Sequence, residues 1–261
     1  MGFFTRIFSK KNKQIYPLDW IGLDIHNHLL PAIDDGATSV EDSISLIKGL
    51  KGIGIHEAIA TPHIMAEVHP NTQETIKNAY DTLVTALSDR NIAFDLGYAA
   101  EHMIDSELSS LIKEKKMCLL PNKHVLIEMS YLQESQNLFL IIQDLLGKGI
   151  QPILAHPERY NYYHHNFDIY RRIKDAGCLL QLNLLSVTRY YNDSVKTVAL
   201  SLIKSGMYDF VGTDLHHKKH LNALEYLTTK YDTRSLLKNN PIKNKELKES
   251  GGSLRVITNT G

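Results

Sequence analysis

Two hydrophobic rhythms alternate along the chain. Short runs rich in β-branched and aliphatic residues read as strands at Trp20–Ile25, Glu57–Ala60, Ile92–Ala100, His124–Glu128, Gln151–Ala155, Cys178–Leu184 and Asp209–Gly212. Between them, apolar residues recur at helical spacing. Thr38-Ser-Val-Glu41 reads as a capping box opening a helix that carries Val40, Ile44 and Ile47. Ile76, Ala79, Tyr80, Leu83, Val84 and Leu87 form a second apolar stripe. Further helices are predicted near Ser106–Lys115, Gln136–Leu146, Asp168–Asp175, Ser194–Lys204 and Leu221–Thr229. Seven strand-then-helix repeats predict a parallel sheet, and their number favours a closed barrel over an open sheet.

The 261 residues suit one α/β barrel, since such barrels run to about 250 residues. The expected division is an N-terminal arm at 1–17, the barrel at 18–230, and a tail or packing arm at 231–261 with one apolar run, Leu254–Ile257. The first 13 residues place apolar side chains before basic ones, the reverse of a signal peptide. Arg6 breaks a myristoylation signal, so this segment reads as a solvated arm with at most peripheral membrane contact. No apolar run is long enough for a transmembrane helix. Lys and Arg total 29, as do Asp and Glu, which argues against a nucleic-acid-binding surface. Two cysteines outside any CxxC pair fit a reducing cytoplasm and argue against a disulfide framework or a cysteine zinc site.

Composition says little about chemistry, but the positions of the 13 histidines say more. Asp24-Ile-His26-Asn-His28 closes the first predicted strand, Thr61-Pro-His63 the second, and Glu101-His102 the third. Glu128 closes the fourth, His156-Pro-Glu-Arg159 the fifth and Asp214-Leu-His216 the last. Active sites of barrels lie at the carboxyl ends of strands. One His-x-His is a weak motif, but six such signals on six strand ends point to a common metal site. Imidazole and carboxylate donors without thiolate suit zinc, iron or manganese. Close-set ions need bridging carboxylates, and Glu101 and Glu128 are the candidates.

The elements Asp24-Ile-His-Asn-His28, Asp34-Asp-Gly36, Thr61-Pro-His63, Ala100-Glu101, Leu126-Ile-Glu128, Ala155-His-Pro-Glu-Arg-Tyr160 and Gly212-Thr-Asp-Leu-His216 resemble the polymerase-and-histidinol-phosphatase (PHP) superfamily. They are most similar to its bacterial capsule and exopolysaccharide branch, the metal-dependent protein-tyrosine phosphatases. The resemblance implies a distorted (β/α)7 TIM-like barrel, a single domain, holding three divalent ions, most often manganese, with iron or zinc as alternatives. By position it implies His26, His28, Glu101 and Asp214 at one ion; Glu101, Glu128 and His156 at a second; and Asp35, His63 and His216 at a third. Asp34 and Asp35 are hard to separate, and Asp35 is preferred because it directly precedes the glycine. Asp24 is expected to orient a ligand histidine.

The chemistry so implied is hydrolysis of phosphotyrosine, with a bacterial tyrosine kinase of polysaccharide export as the substrate protein. Arg159, Asp214 and His216 are the expected catalytic residues. Arg159 supplies a planar fork for phosphate. A second arginine that similar phosphatases carry after the last Asp-x-His is replaced by His217-Lys-Lys-His220, so Lys218 and Lys219 are its candidate substitutes. Tyr160, Tyr162, Tyr163, Tyr190 and Tyr191 are candidates for a cleft rim, although half-packed loop positions are the commoner outcome. Cysteine-dependent phosphatase chemistry is excluded by spacing, because His124 and Leu184 stand where Cys-x5-Arg needs arginine. No phosphate-binding glycine loop is present. The competing expectations are a small-molecule phosphoesterase of histidinol-phosphatase type and a non-catalytic, metal-bound partner-binding module.

Overall fold

The computed structural model describes residues 14–248. Most of the expected N-terminal arm and the run Leu254–Ile257 therefore lie outside the described residues. Within them, seven parallel staves close into a distorted barrel, and the helices form an outer layer. β1 (Glu57–Ala60) and β2 (His63–Ile64) form one stave, interrupted at Thr61-Pro62. β3 (Asp95–Tyr98) and β4 (Glu101–Met103) form the next, interrupted at Ala99-Ala100. β5 (His124–Glu128), β6 (Gln151–Ala155), β7 (Leu179–Asn183) and β8 (Phe210–Gly212) follow in chain order. The register sets His63 beside Glu101 and Leu126 beside Ile153.

The first predicted strand is not a regular ladder. Trp20 and Ile21 lie instead in a turn closed by Ile21 N to Leu18 O at 3.1 Å, and the stretch that follows runs between β1 and β8, pairing only through the bridges Asp24–Ala58 and Asn27–Leu215. Side chains complete the seam on the β8 side. Asn244 Nδ2 donates to Leu23 O at 2.8 Å and Val211 O at 2.7 Å, while its Oδ1 accepts from Val211 N at 3.0 Å. Asp24 accepts from Thr213 N at 3.0 Å and Thr213 Oγ1 at 2.6 Å. These side chains satisfy backbone groups that a ladder would otherwise pair.

Period-two alternation sorts the barrel residues. Leu126 and Ile153 fill the interior with Leu23, Ile25 and Phe210. Val125, Ile127 and Leu154 face the helix layer. That layer comprises α1 (Val40–Gly52), α2 (Gln73–Asp89), α3 (Leu108–Glu114), α4 (Leu138–Gly147), α5 (Asp168–Asp175), α6 (Asp193–Lys204) and α7 (Lys218–Thr228), followed by the single turn α8 (Thr233–Leu236). The cap of α1 lies one residue later than predicted. Ser39 Oγ accepts from Asp42 N, and Asp42 takes the Thr38 N–H, which frees Glu41 to pair with Arg90 at 2.8 Å. α7 starts three residues before Leu221 because the His217 side chain caps it. After Tyr231 the described chain packs back on the barrel, and buried Leu247 joins the interior cluster. Among the described residues, no helix is long and apolar enough to cross a membrane.

Asn244→Ala would leave three buried backbone groups unpaired. Urea unfolding of the variant should show a loss of about 3 kcal/mol, set by the penalty for unsatisfied buried polar groups. An unchanged midpoint would show that the seam does not depend on this side chain.

Candidate metal centre

The carboxyl ends of the staves bring nine sequence-predicted residues to one place. Glu101 sits at its centre, fully buried. Its Oε1 lies 3.1 Å from His156 Nε2. Its Oε2 lies 3.1 Å from His26 Nε2, 3.3 Å from His63 Nδ1 and 3.5 Å from His28 Nε2. Asp214 Oδ1 approaches His26 and His28 at 3.3 and 3.5 Å. Glu128 Oε1 lies 2.8 Å from His63 Nδ1. Asp35, more than half exposed, places Oδ1 3.5 Å from His63 Nε2 and 3.4 Å from His216 Nε2.

Local conformation explains how the side chains converge. His156 and Asp214 have φ of 33° and 51°, left-handed values that non-glycine residues seldom adopt. Both turn the chain sharply at the end of a stave. Gly36 and Gly212 permit close approach to the two histidines of the first stave. A Cβ on Gly36 would stand 2.3 Å from His28 O, and one on Gly212 would stand 2.6 Å from His26 Cβ.

The imidazoles are held from behind. His26 Nδ1 bonds Gln181 Oε1 at 2.8 Å, and His28 Nδ1 bonds Asp34 Oδ2 at 2.7 Å. An acceptor at Nδ1 fixes the hydrogen there and leaves the Nε2 lone pair facing the centre, as in metal sites. Asp34 thus supports His28, whereas Asp35 faces the open centre. Asp24 does not orient an imidazole as expected. Its oxygens are taken by Thr213, Asn27 and the His26 backbone N–H, so it braces the stave.

Four overlapping groups have ligand atoms within 4.8 Å of one another: His28, Asp35, His63 and His216; His26, His28 and Asp214; His26, Glu101 and His156; and His63, Glu101 and Glu128. Among the described residues, nine buried side-chain polar atoms lack a hydrogen-bonding partner, and five belong to this cluster. They are His26 Nε2, His28 Nε2, His63 Nδ1, Glu101 Oε2 and Glu128 Oε1. Buried polar groups are rarely left unpaired, so this concentration fits coordination of divalent cations.

Charge balance agrees. Burial opposes ionisation of Glu101, but His26, His156 and His28 outweigh it and hold the carboxyl well below its usual range. Asp214 is likewise held low against its burial by His26 and Arg159. Burial disfavours a charged His63, yet Glu128 and Glu101 raise its pKa to about 9. Glu101 and Asp214 likewise raise His26, and Asp34 raises His28, against the burial of both, so without cations protons on these imidazoles are favoured.

Arg159 also lines the cavity above the cluster, which has a volume of about 770 Å³. Its guanidinium bonds Asp214 Oδ2 and lies between Tyr131 and Tyr191, 4.7 and 4.3 Å from the ring centroids. Its neighbour Glu158 does not pair with it. That carboxylate is fully buried, accepts from Asn183 N at 3.0 Å and Tyr208 OH at 2.9 Å, and is pushed up in pKa by burial. Lys218 and Lys219 are exposed on the first turn of α7, and neither lines the cavity. Lys219 Nζ instead lies 6.0 Å from the Tyr190 ring.

Tyr160 and Tyr163 are core residues, not rim residues. Sequence reasoning missed Tyr131, Gln181 and Asn183. Gln181 and Asn183 were visible as polar residues alternating with leucines in Leu179-Leu-Gln-Leu-Asn183. Asn183 Nδ2 donates to Asp214 Oδ2 at 2.7 Å. Tyr131 lies in a loop with no periodic signal, and its hydroxyl is 3.3 Å from His156 Nε2 although the residue is 42% exposed. Burial pushes both cysteine thiols up to about 12, which leaves no thiolate for nucleophilic chemistry.

A closed seven-stave barrel with a histidine–carboxylate cluster at its carboxyl end defines the class as PHP-type. Two solved structures share that fold at a TM-score of 0.51: a histidinol phosphate phosphatase from Lactococcus lactis (16% identical, 84% of this chain and 94% of that one) and a lactonase from Listeria monocytogenes (12%, 86% and 93%). The chain belongs to the capsular polysaccharide synthesis family CpsB/CapC, whose model matches residues 22–244. It is 30% identical over 201 residues to the tyrosine-protein phosphatase YwqE of Bacillus subtilis, covering 77% of this chain and 79% of that protein. The tyrosine-protein phosphatase CpsB of Streptococcus agalactiae is 26% identical over 201 residues, covering 75% and 83%. A crystal structure from work on YwqE and Streptococcus pneumoniae CpsB, described as unique metal-dependent tyrosine phosphatases, matches with a TM-score of 0.71. It is 28% identical, with 84% of this chain and 96% of that chain covered.

Cations and protons compete for the same nitrogens, so apparent cation affinity should rise with pH. The proton on His63 stabilises the cation-free fold fully below about 6.5, and that contribution is lost as pH rises through about 9. The difference in melting temperature between Mn²⁺-loaded and EDTA-treated protein should therefore widen from pH 6.5 to pH 9. A constant difference would exclude this exchange.

Proposed function

We propose that the chain is a manganese-dependent protein-tyrosine phosphatase, a phosphoric monoester hydrolase of capsule or exopolysaccharide synthesis. The observation that carries this reading is the buried cluster of unpartnered histidine and carboxylate atoms opening on a cavity that holds one guanidinium. Family membership and the two related tyrosine-protein phosphatases support it.

Three ions are assigned: one to His26, His28, Glu101 and Asp214, a second to Glu101, Glu128 and His156, and a third to Asp35, His63 and His216. Manganese is favoured, and the donor set also accepts iron or zinc. When bound, divalent ions supply a water of lowered pKa and positive charge for the phosphoryl oxygens. Glu101 would contribute to both of the first two sites, because its Oε2 faces His26 and its Oε1 faces His156. Asp214 turns Oδ1 to the imidazoles while Arg159 and Asn183 hold Oδ2. His216 is fixed by the bond between its Nδ1 and Asp214 O at 2.9 Å. Arg159 grips phosphate oxygens with a fork that Tyr131 and Tyr191 have already oriented. A phenol has a pKa near 10, so it departs without a dedicated acid.

The substrate protein is a bacterial tyrosine kinase of polysaccharide export. Two buried free cysteines support a cytoplasmic setting.

Wild-type protein with Mn²⁺ should hydrolyse a phosphotyrosine peptide more efficiently than histidinol phosphate, and His26→Ala should lose at least about a hundredfold in kcat/KM. Efficient turnover of the small metabolite alone would overturn the protein-phosphatase reading. Arg159→Ala should cost about a hundredfold in kcat/KM, and Arg159→Lys should recover little of it, because a point charge lacks the planar fork. In the same assay, Lys218→Ala/Lys219→Ala should stay within about twofold of wild type.

A further inference from the structure

Among the described residues, seven large apolar side chains stand exposed, and three line the one cavity above the cluster. These are Val68 at 62%, Tyr131 at 42% and Leu132 at 93%. Exposed apolar residues scattered singly need no explanation, but a group on one rim marks a binding surface. Met65 and Met103 line the same wall and add adaptable apolar contact.

Both halves of this rim are braced. On one side the turn Met65–His69 closes through Met65 N to His69 O and His69 N to Met65 O, each 2.9 Å. Asp105 Oδ2 takes the Ala66 N–H at 2.8 Å, and its Oδ1 takes those of Glu107 and Leu108 at 3.0 and 3.2 Å. On the other side Met129 N donates to Tyr160 OH at 3.0 Å, Tyr162 OH donates to Ser130 O at 2.9 Å, and Leu132 N donates to Ser130 Oγ at 3.1 Å. The apolar side chains are therefore presented to solvent from fixed backbone. The fixed charge beside them is acidic. Glu67 is exposed, has no ion pair among the described residues, and lines the cavity with Asp105. Arg159 is the only Lys or Arg on that lining.

From this arrangement we infer that the rim is a docking surface for the polypeptide on either side of the phosphotyrosine, and that it selects apolar flanking residues over acidic ones. The inference rests on the phosphatase reading above. With the phosphate at the buried cluster, the residues next to the phosphotyrosine lie over Val68, Tyr131 and Leu132. Apolar side chains there cover exposed hydrocarbon, whereas Asp or Glu would meet Glu67 and Asp105.

The test compares two phosphotyrosine peptides that differ only in their flanks, Val and Leu against Asp on both sides, assayed on the full chain with Mn²⁺. Wild type should favour the apolar-flanked peptide at least fivefold in kcat/KM. Val68→Ser/Leu132→Ser should bring that ratio to within about twofold of unity. Both positions are more than half exposed, so the change empties no core. Leu140→Ser, on α4 and 64% exposed outside the cavity lining, should keep the wild-type ratio. Equal efficiency on the two peptides in wild type, or an unaltered ratio in the double variant, overturns the inference and leaves the phosphatase reading standing. Turnover of p-nitrophenyl phosphate with neither peptide hydrolysed overturns both.

Discussion

A carboxylate with no access to water, Glu101, faces four imidazoles from three other staves. Removing such a charge from solvent costs several kcal/mol unless it is met by compensating charge and well-placed donors. The compensation cannot come from residues near Glu101 in sequence. His26 and His28 lie on the first stave, His63 follows the β1–β2 break and His156 ends β6. Only closure of the barrel brings them to one carboxylate, so fold and charge balance are satisfied together.

The surrounding residues keep that arrangement fixed. Gln181 and Asp34 set the hydrogens of His26 and His28, and Asn183 and Arg159 occupy the outer oxygen of Asp214. Left-handed backbone at His156 and Asp214 carries a local cost of about 1–3 kcal/mol each, of the kind that functional sites retain. The Tyr131–Arg159–Tyr191 stack holds the guanidinium by its two faces, and its edge bonds Asp214 Oδ2.

Much of this was legible in the residue order. The strands His124–Glu128 and Gln151–Ala155 and the helix Asp168–Asp175 match prediction to the residue, because each has a continuous apolar pattern and a clear polar boundary. The seven-stave barrel, the PHP-type fold and the gathering of histidines at strand ends also followed from pattern and motif. The first stave did not resolve into a strand, because side chains of Asp24 and Asn244 replace ladder bonds and no local pattern reports a partner 221 residues away. The α1 cap shifted because Ser39 and Thr38 are chemically alike and only geometry chooses between them. Lys218 and Lys219 had the right charge, but helix α7 begins early and carries them outward. Tyr131, Gln181 and Asn183 act through three-dimensional neighbours, which a linear motif does not display.

The seam closed by Asn244 has a consequence of its own. A ladder spreads closure over many interchangeable peptide groups and tolerates almost any sequence. Here two backbone bonds, Asp214 N to His26 O and His28 N to Leu215 O, share closure on the β8 side with the side chains of Asp24 and Asn244. One substitution at Asn244 can therefore alter how firmly the ring shuts between Leu23 and Val211, upstream of His26, His28 and Asp214, while the ladders from β4 to β7 keep their own bonds.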